Sequence, residues 1–232
     1  MSDEEIVFFR EDASYSPNLK LEGEEISHLK ALRSFGEDKI VAIKDGRGNS
    51  FYYKVPASSK NGELIRTEKK ERSTNEAKLA TAIPKGNRLE WLIQKGTELG
   101  ITKFSFLVFA HSDRKDLNPE RLWKVAAEAC AQSKQDFVPE IEGPFRLEEF
   151  LRKAKTSPEK LILLDPRANE SLGADTISGK TVIVGPEGGF RSEEIAEIEA
   201  ASEGRFRIGE SILRIETACL YAASLFRLGS IR

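Results

Sequence analysis

From Lys78 onward the chain alternates short apolar or β-branched runs with longer segments of helical periodicity, and this alternation limits the fold more than any other feature. Residues 79–83, 104–109, 161–164 and 182–184 read as buried strands. Between them, residues 88–99 put Leu89, Leu92 and Ile93 on one helix face, with Gly100 just past the end. Residues 119–133 form a second helix with Asn118 as its N-cap, 147–154 a third, and 217–228 close the series. Parallel strands need crossovers of this length, so the pattern predicts an α/β fold with a mostly parallel sheet covered by helices. The first third differs. Residues 6–9, 39–43, 51–55 and 64–68 are short strand candidates, separated by turn chemistry that includes Asp45-Gly46 and Asn61-Gly62. Residues 24–33 carry Ile26, Leu29 and Leu32 at helical spacing. The charged stretch 69–76 contains no apolar residue, and the expected domains are therefore 1–72, β-rich, and 73–232, α/β.

Composition bounds the class. With 39% hydrophobic and 32% charged residues in 232, the chain reads as an ordinary globular protein. No apolar run approaches the roughly 20 residues of a membrane span. The acidic start, Met1-Ser2-Asp3-Glu4-Glu5, lacks the layout of a signal peptide, so a cytoplasmic location is expected. Cys130 and Cys219 sit in Ala-rich helical patterns and read as buried free thiols. With His28 and His111 as the sole histidines, no metal-ligand cluster assembles and none is expected. A net charge of −2 gives no general affinity for nucleic acid. Locally, Lys85, Arg88, Lys95, Lys103, Arg114, Lys115, Arg121 and Lys124 gather in one region. The interleaved acids Glu90, Glu98, Asp113, Asp116 and Glu120 make a solvated helical face the competing reading.

Two segments near the C-terminus concentrate the chemistry. The first, Val184-Gly185-Pro186-Glu187-Gly188-Gly189-Phe190, follows a strand and precedes Ser192-Glu193-Glu194-Ile195, a helix start. The second runs Ile208-Gly209-Glu210-Ser211-Ile212-Leu213-Arg214-Ile215-Glu216-Thr217-Ala218. Glycine-rich strand–helix turns leave backbone N–H groups free and allow a ligand close to the main chain. Two of them suggest one pocket, equipped with Arg214, Glu187 and Glu216. Neither is a nucleotide fingerprint, because no G-x-G-x-x-G or G-x-x-x-x-G-K-[ST] is present.

GPEGGF followed by G-x-x-I-L-R-x-E-T-A resembles the C-terminal signature of the RsmE family, ribosomal RNA methyltransferases of the SPOUT superfamily. Ile83-Pro84-Lys85-Gly86, Ile93-Gln94-Lys95-Gly96-Thr97-Glu98-Leu99-Gly100, Glu128-Ala129, Gln132-Ser133 and Val138-Pro139-Glu140-Ile141 are similar to the family's central segments. His28, Leu32-Arg33 and Asp45-Gly46-Arg47-Gly48 fit its N-terminal part. The resemblance implies a SPOUT-type parallel-sheet domain with a C-terminal trefoil knot, preceded by a small PUA-like RNA-binding barrel. It also implies S-adenosyl-L-methionine as cofactor, 16S ribosomal RNA of the small subunit as partner, methylation of uridine N3, and a homodimer. Two departures stand out. Lys134-Gln135 replace the family's common Gly-Arg, and Ser211 stands where many members carry Arg, so positive charge is lost at positions expected to face RNA.

The chemistry follows from the reaction. A carboxylate can accept the uridine N3 proton, and an arginine can stabilise charge spreading onto the base oxygens. Arg214 takes the second role, and Glu216 or Glu187 the first. Competing readings stand beside these: Glu216 as a first-turn acid complementing the helix dipole, Arg214 as a structural ion-pair partner, and Asp165 as a turn-former before Pro166. The expected cofactor lining is Leu164, Asp165, Gly185, Pro186, Glu187, Gly188, Gly189, Ile208, Gly209, Ile212 and Leu213. The expected RNA contacts are His28, Arg33, Lys85, Arg88, Lys95, Arg114 and Lys134. Rival functions are a related methyltransferase with another RNA target, a non-catalytic RNA-binding relative, and a small-molecule α/β enzyme.

Overall fold

A computed structural model describes residues 5–230, and the first four residues of the acidic start lie outside that range. The chain divides into two compact units. One comprises the described residues up to Arg72 together with Cys130–Val138; the other comprises Ser73–Ala129 and the described residues from Pro139 on.

The first unit contains β1 (Ile6–Phe9), β2 (Asn18–Lys20), α1 (Gly23–Ala31), β3 (Lys39–Lys44), β4 (Asn49–Val55) and β5 (Asn61–Lys69). Its sheet runs β1-β3-β4-β5-β2, with β1 parallel to β3 and the other pairs antiparallel. Alternate residues share a sheet face, so Val41, Ile43, Phe51, Tyr53 and Val55 meet Leu19, Leu21 and Leu29 in one core. Asn61-Gly62, read from sequence as a turn, lies inside β5 opposite β2. A Cβ on Gly62 would sit 2.7 Å from Val55 Cγ2 and 3.0 Å from the Lys54 carbonyl oxygen, so glycine is required there by close approach. Three-residue β2 has too short a pattern to be recognised in sequence.

Asp45-Gly46 is the β3–β4 connection. Its Asp45 carboxylate accepts the backbone N–H groups of Arg47 (2.7 Å) and Asn49 (3.0 Å). Against this turn lies residues 130–138: the Val138 N–H donates to the Gly46 carbonyl at 2.9 Å, and Arg47 bridges Phe137. Asp136 accepts hydrogen bonds from Lys44 at 2.5 Å and Lys70 at 2.7 Å. Burial acts to raise its pKa, but these two ammonium groups outweigh burial and hold it below the usual carboxylate value.

The second unit contains β6 (Lys78–Ala82), α2 (Arg88–Glu98), β7 (Lys103–Val108), α3 (Pro119–Ser133, whose end enters the first unit), β8 (Glu140–Arg146), α4 (Leu147–Lys155), β9 (Lys160–Leu164), β10 (Glu170–Ser171), α5 (Ala174–Ile177), β11 (Lys180–Val184), α6 (Ser192–Glu199), β12 (Arg205–Arg207) and α7 (Ile215–Ser230). Its seven strands run β10-β12-β9-β11-β6-β7-β8, and every pairing is parallel. Strands covered on both faces read as unbroken apolar runs, as Leu161–Leu164 of β9 and Val182–Val184 of β11 do. Helix α7 packs on α2 and against β6 and β11. Asn118 caps α3 as expected, its side-chain oxygen accepting the Arg121 N–H at 3.1 Å. Both cysteines are free and buried, and burial pushes each thiol up to about 12. Among the described residues no helix is long and apolar enough to cross a membrane.

Helix α3 ends in a turn at one of the departures noted above. Lys134 has φ 56°, and the Gln135 N–H donates to the Cys130 carbonyl at 2.9 Å. That left-handed position suits glycine, since a Cβ there costs about 1 kcal/mol. Lys134→Gly is expected to stabilise the protein by about 1 kcal/mol, read as a higher urea midpoint; an unchanged or lower midpoint contradicts it.

Candidate active site

The carboxyl ends of β9, β11 and β12 each open into a loop: residues 165–167, 185–190 and 208–214. Together these loops enclose a cavity of ≈ 410 Å³. Of the expected cofactor residues, Leu164, Asp165, Gly185, Pro186, Glu187, Gly188, Gly189, Ile208, Ile212 and Leu213 line it; Gly209 shares the third loop, with φ +67°, but is not in the lining. Phe190, Ile215 and Ala218, members of the two segments named above, also line it, as does Arg167, which was not singled out in sequence. Another cavity, of ≈ 470 Å³, lies at the amino ends of the strands, beside Glu76, Thr102 and Gly179. Parallel α/β sheets bind ligands at the carboxyl ends, where the loops diverge, so the first cavity is the candidate site.

The 185–190 loop is held by packing from the end of β7. A Cβ on Gly185 would fall 2.4 Å from the Phe190 ring, and one on Gly188 would fall 2.9 Å from His111 Cβ. Phe190 meets Phe109 edge-on at 5.3 Å. His111 Nδ1 lies 3.1 Å from the Gly189 carbonyl oxygen, an acceptor, so Nδ1 carries the proton. Glu194 accepts the N–H groups of Ala110 (2.7 Å) and Arg191 (2.8 Å), tying the start of α6 to the same support. Nothing in the sequence marked Phe109, Ala110 and His111 as braces, because the contact spans a long separation along the chain.

The acidic and basic groups divide sharply. Asp165 is buried, and its carboxylate accepts Arg167 Nε at 3.1 Å, Arg167 Nη2 at 2.9 Å and Arg205 Nη2 at 2.7 Å. Burial works to raise its pKa; the Arg167 hydrogen bonds and both arginine charges overcome this and hold it below the ordinary carboxylate value. It anchors the loop after β9 as well as lining the cavity. Glu187 forms an ion pair with Arg88. Glu216, in the first turn of α7, is 5% exposed; its Oε1 lies 3.8 Å from Arg88 Nη1, and its Oε2 is buried without a hydrogen-bond partner. Arg214 is exposed and forms no ion pair among the described residues.

The expected RNA contacts separate by unit. His28, Arg33 and Lys134 belong to the first, with His28 edge-on to Phe8 at 5.6 Å. Lys85, Arg88, Lys95 and Arg114 belong to the second, and each has an acid nearby: Asp113 at 2.7 Å from Lys85, Glu187 on Arg88, Glu98 at 2.7 Å from Lys95, and Asp116 at 3.6 Å from Arg114.

A parallel sheet with a loop-built cavity at its carboxyl ends defines a ligand-binding α/β domain, and residues 70–227 match the model of the RNA methyltransferase domain family. The ribosomal RNA small subunit methyltransferase E of Rickettsia conorii is 30% identical over 216 residues, covering 88% of this chain and 86% of that protein. The protein of the same name from Mesomycoplasma hyopneumoniae is 29% identical, covering 84% of this chain and 88% of its own. The chain belongs to the RNA methyltransferase family and, within it, to the ribosomal RNA small subunit methyltransferase E group. The fold likeness is equally extensive. A crystal structure of a probable rRNA-methyltransferase from Porphyromonas gingivalis superposes with TM-score 0.80 at 23% identity, covering 97% of this chain and 98% of that one. A ribosomal RNA small subunit methyltransferase E from Neisseria gonorrhoeae, solved bound to S-adenosyl methionine, gives TM-score 0.74 at 22% identity over 96% of each chain.

The Asp165 anchor gives a pH-dependent prediction. A carboxyl group whose folded pKa is lowered contributes stability above its unfolded value, about 3.9, and loses it as pH falls through the folded one. Asp165→Asn is expected to cost about 2 kcal/mol at neutral pH, the scale of hydrogen bonds to a charged group. The gap from wild type should close on acidification below about pH 4. Urea midpoints of both proteins across that range check it; a gap that stays constant with pH contradicts the assignment.

Proposed function

We propose that this protein transfers a methyl group from S-adenosylmethionine to N3 of a uridine in the 16S ribosomal RNA of the small subunit. The observation that carries this reading is the convergence of the GPEGGF and G-x-x-I-L-R-x-E-T-A segments on one cavity; Arg214, between the lining residues Leu213 and Ile215, is exposed and has no ion pair among the described residues. The names of the relatives support the RNA substrate.

The residues present fit the donor. The ≈ 410 Å³ cavity lies within the usual range for small-molecule sites, about 300–1,000 Å³. Leu164, Ile208, Ile212 and Leu213 offer apolar contact, and Ile212, 85% exposed, is an apolar side chain that a ligand would cover. Backbone groups of Gly185, Gly188 and Gly189 supply polar contacts. When bound, S-adenosylmethionine supplies an electrophilic methyl group on a sulfonium centre. The protein's own tasks are to orient the base, take the N3 proton and offset the charge that spreads onto O2 and O4. Arg214 serves the last of these and Glu187 or Glu216 the second.

The rest of the reading concerns RNA. The first unit is proposed as a PUA-like module that grips RNA, covering 1–72 and joined by 130–138, with His28, Arg33 and Lys134 among its contacts. Lys85, Arg88, Lys95 and Arg114 are proposed contacts of the catalytic unit, which begins near residue 73. A trefoil knot is proposed for that unit, supported by the insertion of β11 between β9 and β6. A cytoplasmic homodimer is the proposed working form.

Incubation of small ribosomal subunits lacking the modification with labelled S-adenosylmethionine should yield 3-methyluridine in 16S RNA by nucleoside mass spectrometry. Methylation of a different RNA would favour the related-target reading, and donor binding without any product a non-catalytic one. Arg214→Ala should lower kcat about 10²- to 10³-fold while leaving donor affinity nearly intact; a near-normal rate removes Arg214 from the mechanism.

A further inference from the structure

We infer that Arg88 is a positioning residue shared between two carboxylates, and that its transfer from Glu187 to Glu216 frees Glu187 to take the imide proton. The inference rests on the methyl-transfer reading above and assigns the roles within it. Arg88 opens α2, where the helix dipole disfavours a cation, so helix stability does not account for it. Its guanidinium pairs with Glu187 while its Nη1 stays 3.8 Å from Glu216 Oε1. Glu216 is 5% exposed, and its Oε2 is unpartnered. A buried carboxylate oxygen without a donor is costly. A guanidinium carries five N–H donors in a fork that fits a carboxylate two bonds at a time. Both acceptors face the same nitrogen, Nη1, which bonds Glu187 and stays out of hydrogen-bond reach of Glu216.

The two acceptors are not equivalent. Glu187 lines both the ≈ 410 Å³ cavity and a small recess beside it, formed with Lys85, Asp113 and Ile215; Glu216 lines neither. Glu187 can reach a ligand, and Glu216 stands behind it. The other charges near this group are the Lys85–Asp113 pair, closed on itself at 2.7 Å, and Arg214 at the start of α7. While Glu187 is paired with Arg88 its carboxylate oxygen is engaged with the guanidinium and is not free to meet a ligand proton. When Arg88 turns to Glu216, the orphan oxygen gains its donors and Glu187 is released. The uracil N3–H bond then breaks, its electron pair remains on nitrogen, and the proton passes to the Glu187 carboxylate, which returns it to water after product leaves. The summed charge of Arg88, Glu187 and Glu216 is unchanged by the transfer of the guanidinium.

The test is a cycle of Glu216→Gln, Arg88→Gln and the double variant, with Arg88→Lys as the conservative control. Glu216→Gln leaves Arg88 on Glu187, so single-turnover methylation should slow at least about tenfold with KM for RNA unchanged, part of the 10²- to 10⁴-fold available from acid–base catalysis. Removing Arg88 as well releases Glu187, so the double variant should be faster than Glu216→Gln alone, an outcome that a purely structural role does not produce. Arg88→Lys should keep a rate closer to wild type than Arg88→Gln. Urea unfolding without donor or RNA reads the same coupling independently: Arg88→Gln should lower the midpoint, and adding Glu216→Gln should recover part of the loss. A double variant no faster than Glu216→Gln, with wild type active, overturns the inference alone. Midpoint shifts that simply add overturn the Arg88–Glu216 coupling. A wild type that methylates no RNA overturns the reaction reading and this inference with it.

Discussion

The candidate site depends on backbone hydrogen bonding in the centre of the parallel sheet. Val184 at the end of β11 stands opposite Leu164 of β9 on one side and Thr81 of β6 on the other, and Leu164 stands opposite Phe206 of β12. Those registers bring three chain segments to the same level before each leaves the sheet, so three loops start around one space. A slip of one residue in β11 would turn every side chain to the other face and displace the glycine loop from its neighbours. The apolar runs of β9 and β11, buried on both sides, make such a slip expensive. Geometry at the cavity is therefore inherited from the core of the sheet.

Among the described residues, the buried carboxylates follow a consistent rule with one exception. Glu25 receives both nitrogens of the Arg10 fork, Asp45 caps its own turn, and Asp165 is held by two arginines. Each buried carboxylate thus meets the cost of leaving water with donors on both oxygens. Glu216 breaks the rule, and it does so next to the ligand cavity rather than in the structural interior. Proteins tolerate unmet polar groups chiefly where something else is gained, and a site that must change its hydrogen bonding during a reaction is one such place.

Much of this was legible in the sequence where the signal was local. Apolar runs and helix periodicity placed the main strands and helices of the second unit, and the two glycine-bearing segments pointed to one pocket. Strand β8 escaped because Glu140–Arg146 is an edge strand with no fully buried residue, interrupted by Gly143-Pro144. Asn61-Gly62 misled because turn propensity and close strand contact select the same residue type. Arg88 resembled the other basic residues of its region until Glu187 and Glu216, distant in sequence, were seen beside it. Long-range pairing of charges has no periodic signature. The same limit hid the attachment of residues 130–138 to the first unit.

That attachment has a bearing on how the chain comes into being. Lys44 is buried, and its counterion Asp136 is supplied from a segment synthesised long after β3. Lys70, at the end of the first stretch, waits for the same carboxylate, 66 positions downstream. At about 5–20 residues per second on the ribosome, that wait lasts roughly 3 to 13 s. During this interval the nascent N-terminal sheet carries a cation without its partner and a β3–β4 turn without the segment 130–138 that lies against it. The first unit to emerge is thus completed only when more than half of the protein has been made.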